Sequence, residues 1–208
     1  MSFAVSFATE ARCEGFLTST LDRGTVKYNA CHSQSLQYNA AHVETQARGP
    51  MALELTILVG TMTGTAQLVA QEVELTLDDG DTRVVTKPMD GLDAGVFARG
   101  GLFLICSSTY GQGDVPDNAK HLYESLRSAR PDLSGVQYGV IALGDRTYAE
   151  TFCNGGRRFD AILAELGARR IGEIMLHDAS AGTMPEELAV AWSADWIALC
   201  RKEAKLEA

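Results

Sequence analysis

From residue 51 onward the chain alternates between two hydrophobic periods, and this alternation restricts the possible folds more than any other property. Glu54–Val59 is a short run rich in leucine and β-branched residues, and behind it apolar side chains recur at 66, 69, 70, 73 and 77, which is helical spacing. The change of period repeats along the chain. Thr82–Val85, Leu102–Ser107, Val136–Leu143 and Arg170–Leu176 read as four further strands. Helical faces follow the third and fourth strands, at Ala119, Leu122, Tyr123 and Leu126 and at Phe159, Ile162, Leu163 and Leu166, and a last helix runs from about Pro185 to Arg201. Strands apolar on both faces and separated by helices predict a doubly wound α/β fold with a parallel sheet covered on both sides. Only Pro88–Gly101, between the second and third strands, carries a weak helix signal.

In such a sheet ligands bind beyond the carboxyl ends of the strands, where the strand order reverses. The loops after the first, third and fourth strands are therefore the places to look. The first, GTMTGTAQLVAQEV, sets Thr61, Thr63 and Thr65 among Gly60 and Gly64 at a strand-to-helix junction. Free amides and the positive end of a helix dipole suit a phosphate there, and the hydroxyls add neutral donors. The stretch lacks the lysine of a nucleoside-triphosphate loop and the GxGxxG of a dinucleotide site, so a single phosphate fits it better. Read alone, it also fits an ordinary threonine-rich turn that caps a helix. The other two loops, CSSTYGQGDVPDNA and LGDRTYAETFCNGG, each place a tyrosine, Tyr110 and Tyr148, just beyond a strand. Two aromatic rings on neighbouring loops make a slot for a planar heteroaromatic ring. A phosphate seat beside such a slot describes flavin mononucleotide.

Charge narrows the classes of partner. The whole net charge of −9 belongs to residues 51–208, with 14 Lys and Arg against 23 Asp and Glu, which disfavours nucleic acid. No run is long and apolar enough to span a membrane, no signal-peptide layout opens the chain, and a cytoplasmic location is expected. The five cysteines are widely spaced and contain no CxxC pair, so neither a disulfide framework nor a zinc site is expected. Residues 1–50 balance four basic against four acidic residues, show no sustained periodicity and read as a poorly structured extension or a start-site artefact ahead of Met51, with a small added subdomain as the lesser alternative.

Three motifs in order carry a family resemblance. Thr61-Met62-Thr63-Gly64-Thr65 resembles the phosphate loop of flavodoxins, Ser/Thr-x-Thr-Gly-x-Thr, and SSTYGQGDVPDNA and LGDRTYAETFC resemble the two flavin-ring loops of that family. The likeness covers residues 51–203 and is to small MioC-like flavodoxins and to the FMN domains of diflavin reductases. Ala66 departs from many free-standing flavodoxins, which have a further threonine there. The resemblance implies a three-layer flavodoxin-like fold, a five-stranded parallel sheet of order 2-1-3-4-5 with helices on both faces, and FMN as cofactor. By the same resemblance Thr61, Met62, Thr63, Gly64 and Thr65 would surround the phosphate. Ser108, Thr109, Tyr110, Gly111, Gly113, Asp114, Gly144, Asp145, Tyr148, Phe152 and Cys153 would surround the ring, with Tyr110 and Tyr148 on its opposite faces. Gly111 would turn its peptide to offer a carbonyl to the reduced flavin. Asp114 and Asp145 would either lower the flavin potential by their charge or satisfy loop amides. Cys153, Trp192 and Trp196 read as packing residues, and His177-Asp178 as a catalytic pair only superficially.

Three functions remain open at this point. The first is a monomeric carrier that takes single electrons from a separate NAD(P)H-dependent flavin reductase and passes them to an acceptor redox enzyme. The second is an FMN-dependent NAD(P)H quinone or nitro reductase. The third is a partner-binding module that has lost its flavin.

Overall fold

The computed structural model describes residues 25–27, 37–39 and 52–206. The chain divides into two compact units, Met1–Gly49 and Pro50–Ala208. In the first, β1 (Thr25–Lys27) and β2 (Gln37–Asn39) pair antiparallel, with Thr25 opposite Asn39. The expectation that residues 1–50 are poorly structured, and that Met51 is a start, otherwise falls outside the described residues.

The second unit follows the alternating periods. β3 (Leu53–Gly60), β4 (Thr82–Pro88), β5 (Gly101–Ser108) and β6 (Val136–Gly144) are parallel, and their order, continued by β7 (Arg169–Arg170), is β4-β3-β5-β6-β7. This is the 2-1-3-4-5 arrangement that the resemblance implies, with the chain reversing direction across the sheet between β3 and β5. Four helices cover the faces: α1 (Thr65–Leu77), α2 (Asp117–Ala129), α3 (Asn154–Glu165) and α4 (Pro185–Leu206). The pleat of β5 shows how the layers divide. Leu102, Leu104 and Cys106 point into the core under α1 and α4, whereas Phe103 and Ile105 point into the core under α2 and α3. On α1 the residues buried are Ala66, Val69, Ala70, Val73 and Leu77, the helical face read from the sequence.

Two details depart from the expected elements. The connection from β4 to β5 forms one 3-10 turn, Ala94–Phe97, which plugs its face of the sheet with the buried Phe97. The expected fifth strand, Arg170–Leu176, is split into β7 and β8 (Met175–Asp178), which pair with successive parts of β6. The break is made by Trp196 on α4. Its indole N–H donates to Ile171 O at 3.0 Å, and its ring lies where a Cβ on Gly139 of β6 would come within 2.5 Å of it. Between the two pieces Gly172 takes a left-handed conformation, φ +68°. Trp196 is thus a core residue, stacked on Trp192 with ring centroids 5.7 Å apart, as the packing expectation had it.

Candidate functional site

A cleft of about 610 Å³ opens at the carboxyl ends of β3, β5, β6 and β8, within the size range of small-ligand sites. One wall is the start of α1. Its N-cap is Gly64, left-handed at φ +92°, with no side-chain hydrogen bond to cap the helix and no acidic residue in the first turn. The first amides of a helix have no partner within it, so this end offers N–H groups and a positive dipole to whatever lies in front. A Cβ built on Gly64 would meet nothing within 4 Å. Thr63 and Thr65 both line the cleft, and their hydroxyl oxygens lie 3.4 Å apart.

Thr61 acts differently. Its Oγ1 accepts from Gly64 N–H at 3.0 Å, and its own N–H donates to Asn118 Oδ1 at 2.9 Å, so it braces the loop while its hydroxyl proton stays free to donate. Asn118 also donates to Val59 O and to Asp90 Oδ2, tying the end of β3 to the start of α2. The sulfur of Met62 lies 3.3 Å from Asp117 N at the same helix end. Asn118 was not among the residues read from the sequence. It sits 57 residues from Thr61, and only the parallel crossover brings the two together.

The loop after β5 is a tight turn closed by Tyr110 and Asp114, whose backbones exchange hydrogen bonds at 3.0 and 2.8 Å. Gly113 is left-handed, and a Cβ there would come within 3 Å of Thr151 and Asn154. Asn154 Nδ2 donates to Gly113 O at 2.8 Å, Gly155 N donates to Thr109 Oγ1 at 3.1 Å, and Arg158 pairs with Asp114 at 3.0 Å. The start of α3 therefore grips this loop at three points. Gly111, left-handed at φ +53°, lines the cleft with open space around it. Ser108 adjoins the same cleft, and its Oγ is buried without a hydrogen-bond partner. A hydroxyl in that state costs free energy unless something satisfies it.

The last residue of β6, Gly144, and the loop after it, with Asp145 and Tyr148, line the cleft. Tyr148 is 68% exposed and Tyr110 46%, large aromatic surfaces left open to solvent; Tyr148 lines the cleft and Tyr110 belongs to the adjoining turn. Asp145 turns onto its own loop, accepting from Thr147 N and Oγ1 at 2.8 and 2.6 Å. Of the two carboxylates considered for lowering a flavin potential, one is thus committed to loop groups and the other, Asp114, is paired with a cation. Phe152 carries the Arg146 guanidinium 5.0 Å from its ring centroid. Cys153 is fully buried below the loop, its thiol directed to Ala142 O and His177 O, and burial pushes its pKa up to about 11. A thiol held protonated in this way is a poor redox group.

The remaining wall, residues 177–185, was not among the site residues expected from the sequence. His177 is buried and its Nε2 lies 3.0 Å from Thr183 O, which closes this segment into a strap along the cleft. Asp178 points elsewhere, accepting from Arg146 N at 3.0 Å and from Ser180 N and Oγ, so it links the strap to the Tyr148 loop. The amide of Arg146 and the Ser180 hydroxyl hold its carboxyl below the ordinary range. The two neighbours serve different partners.

The donor set fits FMN. Uncharged threonine hydroxyls beside an uncapped helix start, an unpartnered buried hydroxyl and an exposed aromatic ring share the lining of the cleft. Comparison with known proteins points the same way. The sequence model of the family described as Flavodoxin matches residues 57–192. Flavodoxin YqcA of Escherichia coli (strain K12) is 38% identical over 143 residues, covering 69% of this chain and 95% of that protein. Protein MioC of the same organism is 32% identical over 148 residues, 71% of this chain and 99% of that one. Among solved structures, a cysteine-to-alanine mutant of flavodoxin from Pseudomonas aeruginosa matches with a TM-score of 0.64 at 34% identity, covering 71% of this chain and 98% of the other.

Proposed function

The chain belongs to the flavodoxin family, and from that premise we propose that it carries single electrons on one FMN from a separate NAD(P)H-dependent flavin reductase to an acceptor redox enzyme. FMN is the cofactor that this family implies, and when bound it supplies one-electron redox chemistry. The observation that carries the reading is the cleft itself, whose lining brings together an uncapped helix start, threonine hydroxyls and an exposed tyrosine.

Each group then has a task set by its chemistry. Thr63, Thr65 and the first amides of α1 would hold the phosphate, with Thr61 and Asn118 fixing the loop that presents them. Tyr110 and Tyr148 would cover the ring and keep water from it. Ser108 Oγ, unpartnered at present, would gain an acceptor or donor on the cofactor. Gly111 can turn its peptide without a side-chain penalty, because space around it is open and glycine tolerates either sign of φ. The acidic surface favours transient encounters with basic partners, in which electrostatics mainly raise the association rate. No feature of the described residues favours direct quinone or nitro reduction.

The test is stepwise chemical reduction of the full chain with added FMN under argon, followed in the visible. The expected result is one FMN per chain, reduced in two separable one-electron steps, with NAD(P)H inert until a reductase is added. Absence of bound flavin at excess FMN, or turnover of NAD(P)H by the protein alone, would overturn the proposal.

A further inference from the structure

Beside the cleft, on the face covered by α1 and α4, lies a second groove of about 540 Å³. Leu68 of α1 and Met184, the residue before α4, line it and are 56% and 58% exposed. Leu75, two turns beyond Leu68 on the same stripe of α1, is 77% exposed. An apolar stripe of this kind on a helix ordinarily faces a core. Here it faces outward.

The charge around the groove is of one sign. Glu72, Glu186 and Glu187 line it, and one oxygen of Glu186 is buried without a hydrogen-bond partner. α1 contains no Lys or Arg at all, and α4 has none before Arg201. On the opposite face of the sheet the balance differs, with Lys120 and Arg127 on α2 and Arg157 and Arg158 on α3. α1 and the part of α4 before Arg201 thus carry five carboxylates and no Lys or Arg, whereas on α2 and α3 four carboxylates meet four cations. Nucleic acid and anionic membranes are repelled by such a face, whereas a protein surface with lysines or arginines around an apolar contact complements it.

The groove also adjoins the cleft. Thr65 lines the cleft and Leu68, one turn later, lines the groove; Thr183 and Pro185 line the cleft and Met184 between them lines the groove. A partner seated here is held at the edge of the site.

We infer that the α1/α4 groove is the docking surface for the redox partner, and that the partner presents a basic patch around an apolar contact. This rests on the electron-carrier reading and specifies where the carrier meets its partner. Its residues differ from those that would hold the flavin.

Cytochrome c, a basic haem protein, serves as the probe. With the FMN-loaded full chain reduced by dithionite under argon, each electron leaving the flavin converts one ferric haem to ferrous, so one fully reduced flavin reduces two cytochromes and releases its protons to water. Glu72→Gln/Glu187→Gln removes two exposed charges at the groove; Glu124→Gln/Glu165→Gln removes two on α2 and α3 and changes the net charge equally. At low salt the groove pair should slow the second-order rate about five-fold or more and the control pair less than about two-fold, because steering depends on where the charge lies. In a titration of the isotopically labelled chain with oxidised cytochrome c, amide shift changes should centre on Leu68, Glu72, Met184 and Val190. Equal slowing by the two pairs, or shift changes that leave α1 and α4 untouched, would overturn the inference. A chain that holds no FMN would reduce no cytochrome, which sinks the carrier reading, and the shift titration, which needs no flavin, would still decide the groove.

Discussion

Replacing Gly155 by alanine sets two physical effects against each other in a way that tests how the site is held. Gly155 is the second residue of α3, and its φ is not positive, so the backbone itself accepts alanine. Helix propensity alone then predicts a gain of up to about 1 kcal/mol. The packing predicts the opposite. A Cβ at this position would overlap Ser108 O and would stand 3.1 Å from Ser108 C and 3.3 Å from Thr109 Cα, all backbone atoms of the loop after β5. Those atoms cannot rotate away as a side chain would, so α3 and the loop must separate. Overpacking of this kind costs about 1–3 kcal/mol. Separation also stretches the 3.1 Å bond from Gly155 N to Thr109 Oγ1, whose loss is worth about 1 kcal/mol. The sum is a net loss of about 2 kcal/mol, or roughly a 5 °C lower Tm for a domain of this size. FMN affinity should fall as well, because the moved loop carries Gly111 and Tyr110. Thermal unfolding and a flavin fluorescence titration of Gly155→Ala measure both effects. A variant with raised Tm and unchanged FMN affinity would refute the argument that backbone contact between α3 and this loop sets the site.

Thr63→Val removes one neutral donor from the proposed phosphate end and should weaken FMN about 10- to 100-fold, the range for a hydrogen bond to a charged group, while riboflavin, which lacks the phosphate, binds as before; comparative fluorescence titrations check this. Asp178 has a depressed folded-state pKa, so its stabilising contribution is complete above the ordinary carboxylate value of 3.8 and is lost as the pH falls from there through the lower folded value. Asp178→Asn should therefore lose stability at neutral pH and show a flatter decline below about pH 4 than the parent, as read from urea midpoints across that range. Cys106 and Cys200, pushed up to about 12 by burial, and Cys153, pushed up to about 11, should resist a thiol-specific disulfide reagent in the native protein at about pH 8 and react only on unfolding. Mass spectrometry of the labelled peptides reads each site, and rapid native labelling of Cys153 would contradict its burial below the loop.

Periodicity and turn chemistry are local properties, and what rests on them was legible from the amino acids. The buried face of α1, the run of parallel strands and the hydroxyl-rich turn at Thr61–Thr65 each depend on residues a few positions apart, as does the placement of Tyr110 and Tyr148 just beyond strand ends. The strand order came from the resemblance, since no local signal states which strands are neighbours. Tertiary structure alone decided the features that depend on distant segments meeting. Asn118 braces the Thr61 loop across a crossover, and Trp196 breaks the last strand because it needs the space above Gly139 and an acceptor at Ile171. The strap from His177 to Pro185 becomes a wall of the cleft only when β8 lies beside β6. Asp114 and Asp145, equivalent as sequence, were separated by their partners, a guanidinium from α3 for one and a nearby threonine for the other. The acidic groove is of the same kind. Each helix is ordinary by itself, and the concentration of charge exists because the doubly wound path lays the two helices without early cations, α1 and α4, side by side on one face of the sheet.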